Sequence, residues 1–365
     1  MIRNVCEDWP PEKTEKAQAL CQAFLAAPKR RRFLFGRNVY AEAVAKKLEV
    51  GGVVDDFTKD THWAGLCVTK LADLPADSIV LACSGGRPLT VRRLLDEKNI
   101  THLDYFSFMK HSGLDLPEAV FNEGCARTVS SHREDLEWLE GLMADEISLD
   151  TLRMLMTFRM SYDLDALEGF SQREDLQYFE PFINYSVSAA VFVDVGGYDG
   201  NTAIAFINRV PDYKAVHIFE PEAKNQTTCQ TALAEFDNIS LHPCGAGAKD
   251  AILRFSSCGS ASAIAEDGEL EIKIRRIDDL VTDVPTFLKM DIEGAELEAL
   301  DGARAVISEH HPALAICVYH RPSDFWEVPR KVLSMYDGYS VYLRHYTESI
   351  YETVMYFVPD SMHVR

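Results

Sequence analysis

Residues 191–202 read Val-Phe-Val-Asp-Val-Gly-Gly-Tyr-Asp-Gly-Asn-Thr, and this run narrows the fold more than any other. A continuous apolar strand, Val191–Val195, enters a glycine-rich turn and then a helix from about Asn201. Such a strand belongs in a parallel sheet covered on both faces. The pattern then repeats. Ala215–Phe219 ends in Glu220-Pro221-Glu222, and Ile239–Cys244 ends in Gly245-Ala246-Gly247. Thr286–Met290 runs into Asp291-Ile292-Glu293-Gly294-Ala295-Glu296, and Ala313–Val318 into Tyr319-His320-Arg321. Ala251–Phe255 and Leu270–Ile277 read as an inserted hairpin around Ser256–Ser262. Two alternating runs, Tyr339–His345 and Glu352–Val358, close the chain as an antiparallel pair. The predicted class is α/β, a seven-stranded mixed sheet whose last strand pair is antiparallel.

A smaller α/β rhythm precedes it. Residues 11–27 predict a helix stopped by Pro28, and Lys29-Arg30-Arg31-Arg32 reads as a solvated approach to a strand. Phe33–Phe35, Val50–Val54 and Ser78–Cys83 read as buried strands, and Val39–Leu48 and Thr90–Lys98 as helices. Residues 29–110 thus predict a small Rossmann-like domain. Its first turn, Gly36-Arg37-Asn38-Val39-Tyr40-Ala41, keeps one of the three glycines of a dinucleotide fingerprint. Ser84-Gly85-Gly86 reads as a structural turn. Asp135–Met160 has a helical apolar rhythm. The expected division is an N-terminal helix and Rossmann-like domain over 1–110, a helical connector over 111–187 and the larger α/β domain over 188–365.

The 365 residues are 47% apolar and 26% charged, an ordinary balance for a soluble globular protein. No apolar run approaches the ~18 residues that cross a bilayer, and Met1–Pro11 lacks the apolar stretch of a secretory leader. Nine cysteines, none in a CxxC pair, suggest reduced and mostly buried thiols, and with them a cytoplasmic protein. The net charge of −20 is uneven: residues 1–110 carry 17 Lys and Arg against 14 acids, and the remainder 20 against 43. The larger part would repel nucleic-acid phosphates and anionic membranes, so neither is an expected partner. It would accept a cationic cofactor or a neutral sugar.

In an open parallel sheet the ligand binds outside the carboxyl ends of the strands. Asp194 sits at the first such end, and Gly196, Gly197 and Gly200 let the backbone approach a ligand. No Gly-Lys-Thr is present to hold phosphate, and the acid precedes the turn rather than following it. An acid there suits an ammonium or sulfonium better than a pyrophosphate. Glu220, about 20 residues past the turn, is placed to accept from ribose hydroxyls.

These segments resemble the FkbM-type family of S-adenosylmethionine-dependent methyltransferases, which have the class I methyltransferase fold. The matching stretches are Phe192–Gly200, Phe219-Glu220-Pro221 and Leu288-Lys289-Met290-Asp291-Ile292-Glu293-Gly294-Ala295-Glu296. Ile316–Arg321, Tyr342–Tyr346, Glu352-Thr353-Val354 and, upstream, Gln177-Tyr178-Phe179-Glu180 match as well. The resemblance spans roughly residues 175–358, and the N-terminal domain is similar to one attached to some members. It implies S-adenosylmethionine held by Asp194, Gly196, Gly197, Tyr198, Asp199, Gly200 and Thr202, with Glu220 and Pro221 at the ribose and Gly245 and Ala246 near the adenine. Tyr198, where a middle glycine often falls, would narrow the pocket beside the methionine. Asp291 would lie by the transferred methyl, His320 would be the general base, and His345 would line the acceptor pocket.

The implied reaction is in-line methyl transfer to a hydroxyl. By family association the acceptor is a sugar of a glycan or nucleotide-sugar. A small natural product is the alternative acceptor, and a non-catalytic S-adenosylmethionine-binding protein the alternative class. A nicotinamide oxidoreductase built on the N-terminal fold is a third reading, opposed by the missing glycines. Asp291, Glu293 and His320 could offer ligands to Mg²⁺ or Mn²⁺, although the spacing favours a metal-free site. A homo-oligomer is compatible with the sequence.

Overall fold

The computed structural model describes residues 11–256, 263–264 and 270–364. The hairpin tip expected around Ser256–Ser262 and the leader segment before Pro11 lie largely outside the described residues. The chain divides into two compact units. One holds the residues up to His132 with Leu152–Arg173 and Tyr346–Tyr351; the other holds Arg133–Thr151, Glu174–His345 and the residues from Glu352. The segment expected as one connector, 111–187, is therefore shared between them.

The first unit comprises α1 (Pro11–Ala26), β1 (Arg32–Phe35), α2 (Val39–Lys47), β2 (Gly52–Val54), β3 (His62–Trp63) and β4 (Leu66–Thr69). It continues with β5 (Ile79–Ala82), α3 (Pro88–Glu97), β6 (Thr101–Asp104), α4 (Tyr105–His111) and α5 (Cys125–Ser131). The strand order is β3-β4-β2-β1-β5-β6, parallel except for β3. Phe33, Val54, Val80, Val91 and Leu95 form its core. The order reverses between β1 and β5, the crevice where such sheets bind nucleotides. Here the protein's own groups occupy it. The Asn38 side chain accepts from the N–H groups of Tyr40 and Ala41, capping α2, and donates to the Cys83 carbonyl beyond β5. A Cβ on Gly85 would strike the Tyr40 ring. At the start of α3, the buried Glu348 carboxylate accepts from Thr90 N (2.7 Å) and Thr90 Oγ1 (2.9 Å) and pairs with Arg93 (3.1 Å). An anion is favoured at a helix N-terminus, and the chain supplies its own.

Two helices follow, α6 (Arg133–Leu142) and α7 (Glu146–Ser161). The helical rhythm of Asp135–Met160 is carried by these two helices, which divide where Met143 bridges to Val341 and Asp145 accepts from Ser148 N. An Asp with that geometry caps a new helix.

The second unit then builds its sheet from β7 (Val191–Val195), α8 (Asn201–Arg209), β8 (Ala215–Phe219), α9 (Ala223–Ala232) and β9 (Ile239–His242). Next come β10 (Gly245–Ala246), β11 (Ala251–Ser256), β12 (Ala263–Ile264), β13 (Leu270–Arg275) and α10 (Ile277–Leu280). The last elements are β14 (Phe287–Met290), α11 (Glu296–Gly302), α12 (Arg304–His310), β15 (Ala313–Cys317), α13 (Asp324–Met335), β16 (Tyr339–His345) and β17 (Thr353–Pro359). The seven-stranded order is β16-β17-β15-β14-β7-β8-β9, parallel from β9 to β15 and antiparallel for β17 and β16.

Every residue of β7, β14, β15 and β17 is buried. Stacked rings of Phe192 and Phe287 (5.1 Å between centroids), with Phe206 on Phe192 (4.7 Å), fill one side of the central strands. The strand expected over Ile239–Cys244 stops at His242, because Cys244 N turns back onto the His242 carbonyl (2.8 Å). Gly245-Ala246 then leaves to pair with β13, and β13 pairs antiparallel with β11 as the hairpin expectation required. Of the seven described cysteines all are free thiols, and only Cys67 is exposed. No helix among the described residues is long and apolar enough to cross a membrane.

Candidate active site

Asp194 and Lys289 are opposite each other in the β7–β14 register. Both side chains are buried, and Lys289 Nζ lies 3.1 Å from Asp194 Oδ1. A lysine in an otherwise apolar buried strand must be paired. Burial opposes its charge, but Asp194 and Asp291 hold the Lys289 pKa above its ordinary value. The same ammonium donates to the Gly196 carbonyl at 2.7 Å, and so fixes the glycine turn from below. Asp194 is wholly buried and faces Lys289, which in turn bonds the glycine turn.

The turn requires its glycines. Gly196 has φ +89°, and a Cβ there would overlap the Asp291 carbonyl, while one on Gly197 would overlap Ile218. Gly200 at φ +85° starts α8, and Asp199 accepts from Asn201 N at 3.0 Å. Thr202 is half-buried in the first turn of α8. Tyr198 is 65% exposed with φ +47°. Its side chain projects at the surface. Its N–H donates to Glu220 Oε2 at 2.8 Å, and Glu222 N donates to Glu220 Oε1 at 2.8 Å. The buried Glu220 carboxylate, its pKa raised by burial, so links the end of β8 to the glycine turn. Asn225 Nδ2 also approaches Glu220 Oε1 at 3.5 Å, which leaves one lone-pair position, on Oε2, free to accept. Pro221 follows Glu220 at the end of β8. Gly245 and Ala246 begin the neighbouring sheet, two residues beyond the end of β9.

Beside this turn lies a second cluster. The Tyr178 ring sits 5.2 Å from Lys289 Nζ, and its hydroxyl donates to Asp291 Oδ2 at 2.8 Å. Tyr319 Oη approaches Asp291 Oδ1 at 3.5 Å and Glu352 Oε1 at 3.3 Å. The Gln177 side-chain amide donates to the other oxygen of Glu352. Burial would raise the Asp291 pKa, but Lys289, His320 and the Tyr178 bond hold it below its ordinary value.

His320, expected as a free base, has a side chain only 1% exposed. Its Nδ1 lies 3.0 Å from Glu296 Oε1 and its Nε2 3.5 Å from Asp291 Oδ1. Burial disfavours the charged ring, yet Glu296 and Asp291 push its pKa up to about 9. At neutral pH both nitrogens therefore carry protons, and the imidazolium has no lone pair to offer. Glu296 also accepts from Ile292 N at 3.0 Å, which ties the loop after β14 to α11.

Asp291, Glu296 and His320 do offer atoms within 4.8 Å of one another, the one such group among the described residues. A cation there would have to displace the proton that bridges His320 to its carboxylates. The donor set fits an imidazolium better than a metal. Glu293, the third ligand considered from sequence, lies on the exposed loop before α11. His345, at the end of β16, bonds Thr353 Oγ1 at 2.9 Å across the strand pair. It is buried two strands away from β15.

Sequence reading passed over Lys289, Glu296, Tyr319, Gln177, Tyr178 and Glu352 as site residues. Lys289 carried a usable signal, a charge inside a buried strand. The other five are joined only by tertiary packing.

This strand order, parallel from β9 to β15 with an antiparallel last pair, is that of the class I methyltransferase fold. Residues 194–350 match the model of the Methyltransferase FkbM domain family. The crystal structure of methyltransferase FkbM from Methylobacillus flagellatus KT is 24% identical and superposes with a TM-score of 0.73, covering 96% of this chain and 100% of that one. An rRNA methylase from Streptococcus thermophilus is 16% identical over 49% of this chain and 90% of its own, with a TM-score of 0.32. Fibrillarin from Aeropyrum pernix with natively bound S-adenosyl-L-methionine is 12% identical over 50% and 70%, with a TM-score of 0.29. No curated protein matches the chain. The match to the FkbM methyltransferase domain is thus confined to residues 194–350 of the chain.

Proposed function

We propose that the protein is an S-adenosylmethionine-dependent O-methyltransferase whose acceptor is a sugar hydroxyl. The observation that carries the cofactor assignment is the Glu220 carboxylate held against the glycine turn by Tyr198 N and Glu222 N. A donor's ribose hydroxyl would meet the remaining acceptor position on Oε2, or replace the long Asn225 contact on Oε1. The turn from Gly196 to Gly200 leads into the N-terminus of α8, with Asp199 before it and Thr202 in its first turn, and Pro221 follows Glu220. Gly245 and Ala246, at the third strand end, stand on the adenine side. These groups fit a nucleoside carrying a charged amino-acid tail.

When bound, S-adenosylmethionine supplies an electrophilic methyl carbon on a cationic sulfur. The chain's own task is then to hold the acceptor oxygen in line with it, where proximity is worth up to ~7–11 kcal/mol. Asp291 is partly exposed and kept ionised by Lys289 and His320. It can accept a hydrogen bond from the acceptor and offset the sulfonium charge. The buried Glu296 orients His320, which faces Asp291 directly, and His345 supports the β16–β17 pair. The uneven acidity of the domain, 20 basic against 43 acidic residues beyond position 110, favours a neutral acceptor over a polyanion.

The test is calorimetric titration with S-adenosylmethionine, S-adenosylhomocysteine and NAD in parallel, followed by S-adenosylhomocysteine release on a panel of glycans and nucleotide-sugars. Saturable binding of both sulfur compounds, none of NAD, and release on a sugar are expected. No binding of either sulfur compound, or release only on a non-sugar acceptor, would overturn the reading.

A further inference from the structure

Glu352 stands immediately before β17 with φ +61°. A non-glycine residue holds that left-handed conformation at a cost of about 1–3 kcal/mol, tolerated where the surroundings enforce it. The surroundings here are specific. Tyr319 donates to one carboxylate oxygen at 3.3 Å and Gln177 to the other, from opposite ends of the domain sequence. Of the other carboxylates at this end of the sheet, Glu293 is exposed, its pKa also raised to about 7 by desolvation, and four more are committed. Asp194 faces Lys289, and Glu220 accepts from the glycine turn. Glu296 accepts from Ile292 and faces His320, and Asp291 gathers Tyr178, Tyr319 and His320. The charges and bonds that keep Asp291 ionised also make it a poor proton acceptor.

Glu352 differs from all of these. It is half-buried and shares the Tyr319 hydroxyl with Asp291. Burial and the negative charge of Asp291 raise its pKa to about 7, against the opposing pull of Gln177, His320 and Tyr319. A base works best when its pKa lies near the working pH.

We propose that Glu352 is the general base that takes the proton of the acceptor hydroxyl, with Tyr319 and Gln177 as the residues that position its carboxylate. This rests on reading the site as an O-methyltransferase. As a lone pair of the acceptor oxygen forms the bond to the methyl carbon, the carbon–sulfur bond breaks and its electron pair stays on sulfur. The hydroxyl proton passes to Glu352, which afterwards releases it to water. No oxidant or further reactant enters.

The experiment uses the full chain as wild type, Glu352→Gln, Glu293→Gln and Tyr319→Phe. Calorimetry with S-adenosylhomocysteine comes first. Wild type and Glu352→Gln are expected to bind within about twofold of each other, and a wild type that does not bind overturns the reading of the site itself. Infrared difference titration, wild type minus Glu352→Gln with S-adenosylhomocysteine bound, is then expected to show one carboxylic-acid band lost near pH 7. Loss of that band below pH 5 would overturn the base assignment alone. On the first sugar acceptor that turns over, Glu352→Gln is expected to slow kcat by ~10²–10⁴-fold and to abolish the rise in rate across neutral pH. Tyr319→Phe should keep turnover but displace that rise along the pH axis, and it carries the test should Glu352→Gln not fold. Wild-type kcat in Glu352→Gln, an unmoved profile in Tyr319→Phe, or the loss appearing in Glu293→Gln instead would overturn the proposal.

Discussion

Lys289 Nζ lies 3.1 Å from Asp194 Oδ1 and 2.7 Å from the Gly196 carbonyl, so one buried ammonium neutralises the strand-end acid and holds the glycine turn. Removing one partner of a buried pair strands the other charge, at a cost of about 3–5 kcal/mol. Lys289→Met is expected to lose that much in urea unfolding. The double variant Lys289→Met/Asp194→Asn should recover part of the loss. Additive losses in that cycle would mean the pair is not coupled.

The two turn glycines at 196 and 200 should differ in their tolerance. Gly196→Ala forces a Cβ into the Asp291 carbonyl at a positive φ, so at least ~2 kcal/mol is expected from overpacking, with backbone strain added. At Gly200 the nearest atom to an added Cβ is the Leu233 Cδ1 at 3.3 Å, a flexible side-chain end. Gly200→Ala should cost only about 1–2 kcal/mol, from its φ alone. Equal midpoint shifts in thermal unfolding would contradict the assignment of the steric limit to position 196.

Glu220→Ala removes the acceptor for Tyr198 N and Glu222 N and the proposed acceptor for ribose. Charge-assisted bonds are worth about 1.5–3 kcal/mol each. A loss of S-adenosylmethionine affinity of ~100-fold or more is expected by calorimetry. Unchanged affinity would move the ribose to another strand end.

His320 links stability to pH. Its folded pKa is raised to about 9, above the ordinary histidine value of about 6.5. A raised pKa contributes stability that is full below pH 6.5 and is lost as pH climbs through 9. Urea midpoints of the wild type should therefore fall between pH 7 and 9.5, and His320→Gln should flatten that fall. A wild-type midpoint that rises over this window would show the ring neutral and return it to contention as a base.

In the N-terminal unit, Asn38 and Glu348 fill the crevice of the nucleotide fold. NAD is expected not to bind at millimolar concentration. Glu348→Ala should lower stability by about 1–2 kcal/mol through loss of the α3 cap. Saturable NAD binding by the wild type would show that these groups yield to a ligand.

How far the chain could be read depended on locality. Val191–Val195, Ala215–Phe219 and Tyr339–His345 have in the structure the limits their apolar patterns predict. The Gly196 turn was equally plain, because only glycine takes that φ so close to a neighbouring carbonyl. The helical rhythm over Asp135–Met160 does not mark the break between α6 and α7, where Met143 and Asp145 meet distant partners. Gly245-Ala246 was drawn as the end of a core strand, but pairing with β13 took it elsewhere.

The sequence by itself determined the sheet, its glycine turn and the acids at its strand ends, since strand period, turn conformation and strand-end chemistry are properties of neighbouring residues. Only the tertiary structure decided what each acid does. Register sets Lys289 against Asp194, packing encloses His320 between Glu296 and Asp291, and chain closure brings Gln177 and Tyr319 to Glu352. Charge and burial act through space, so whether an acid is neutralised, strengthened or weakened depends on partners that lie up to 175 positions away along the chain.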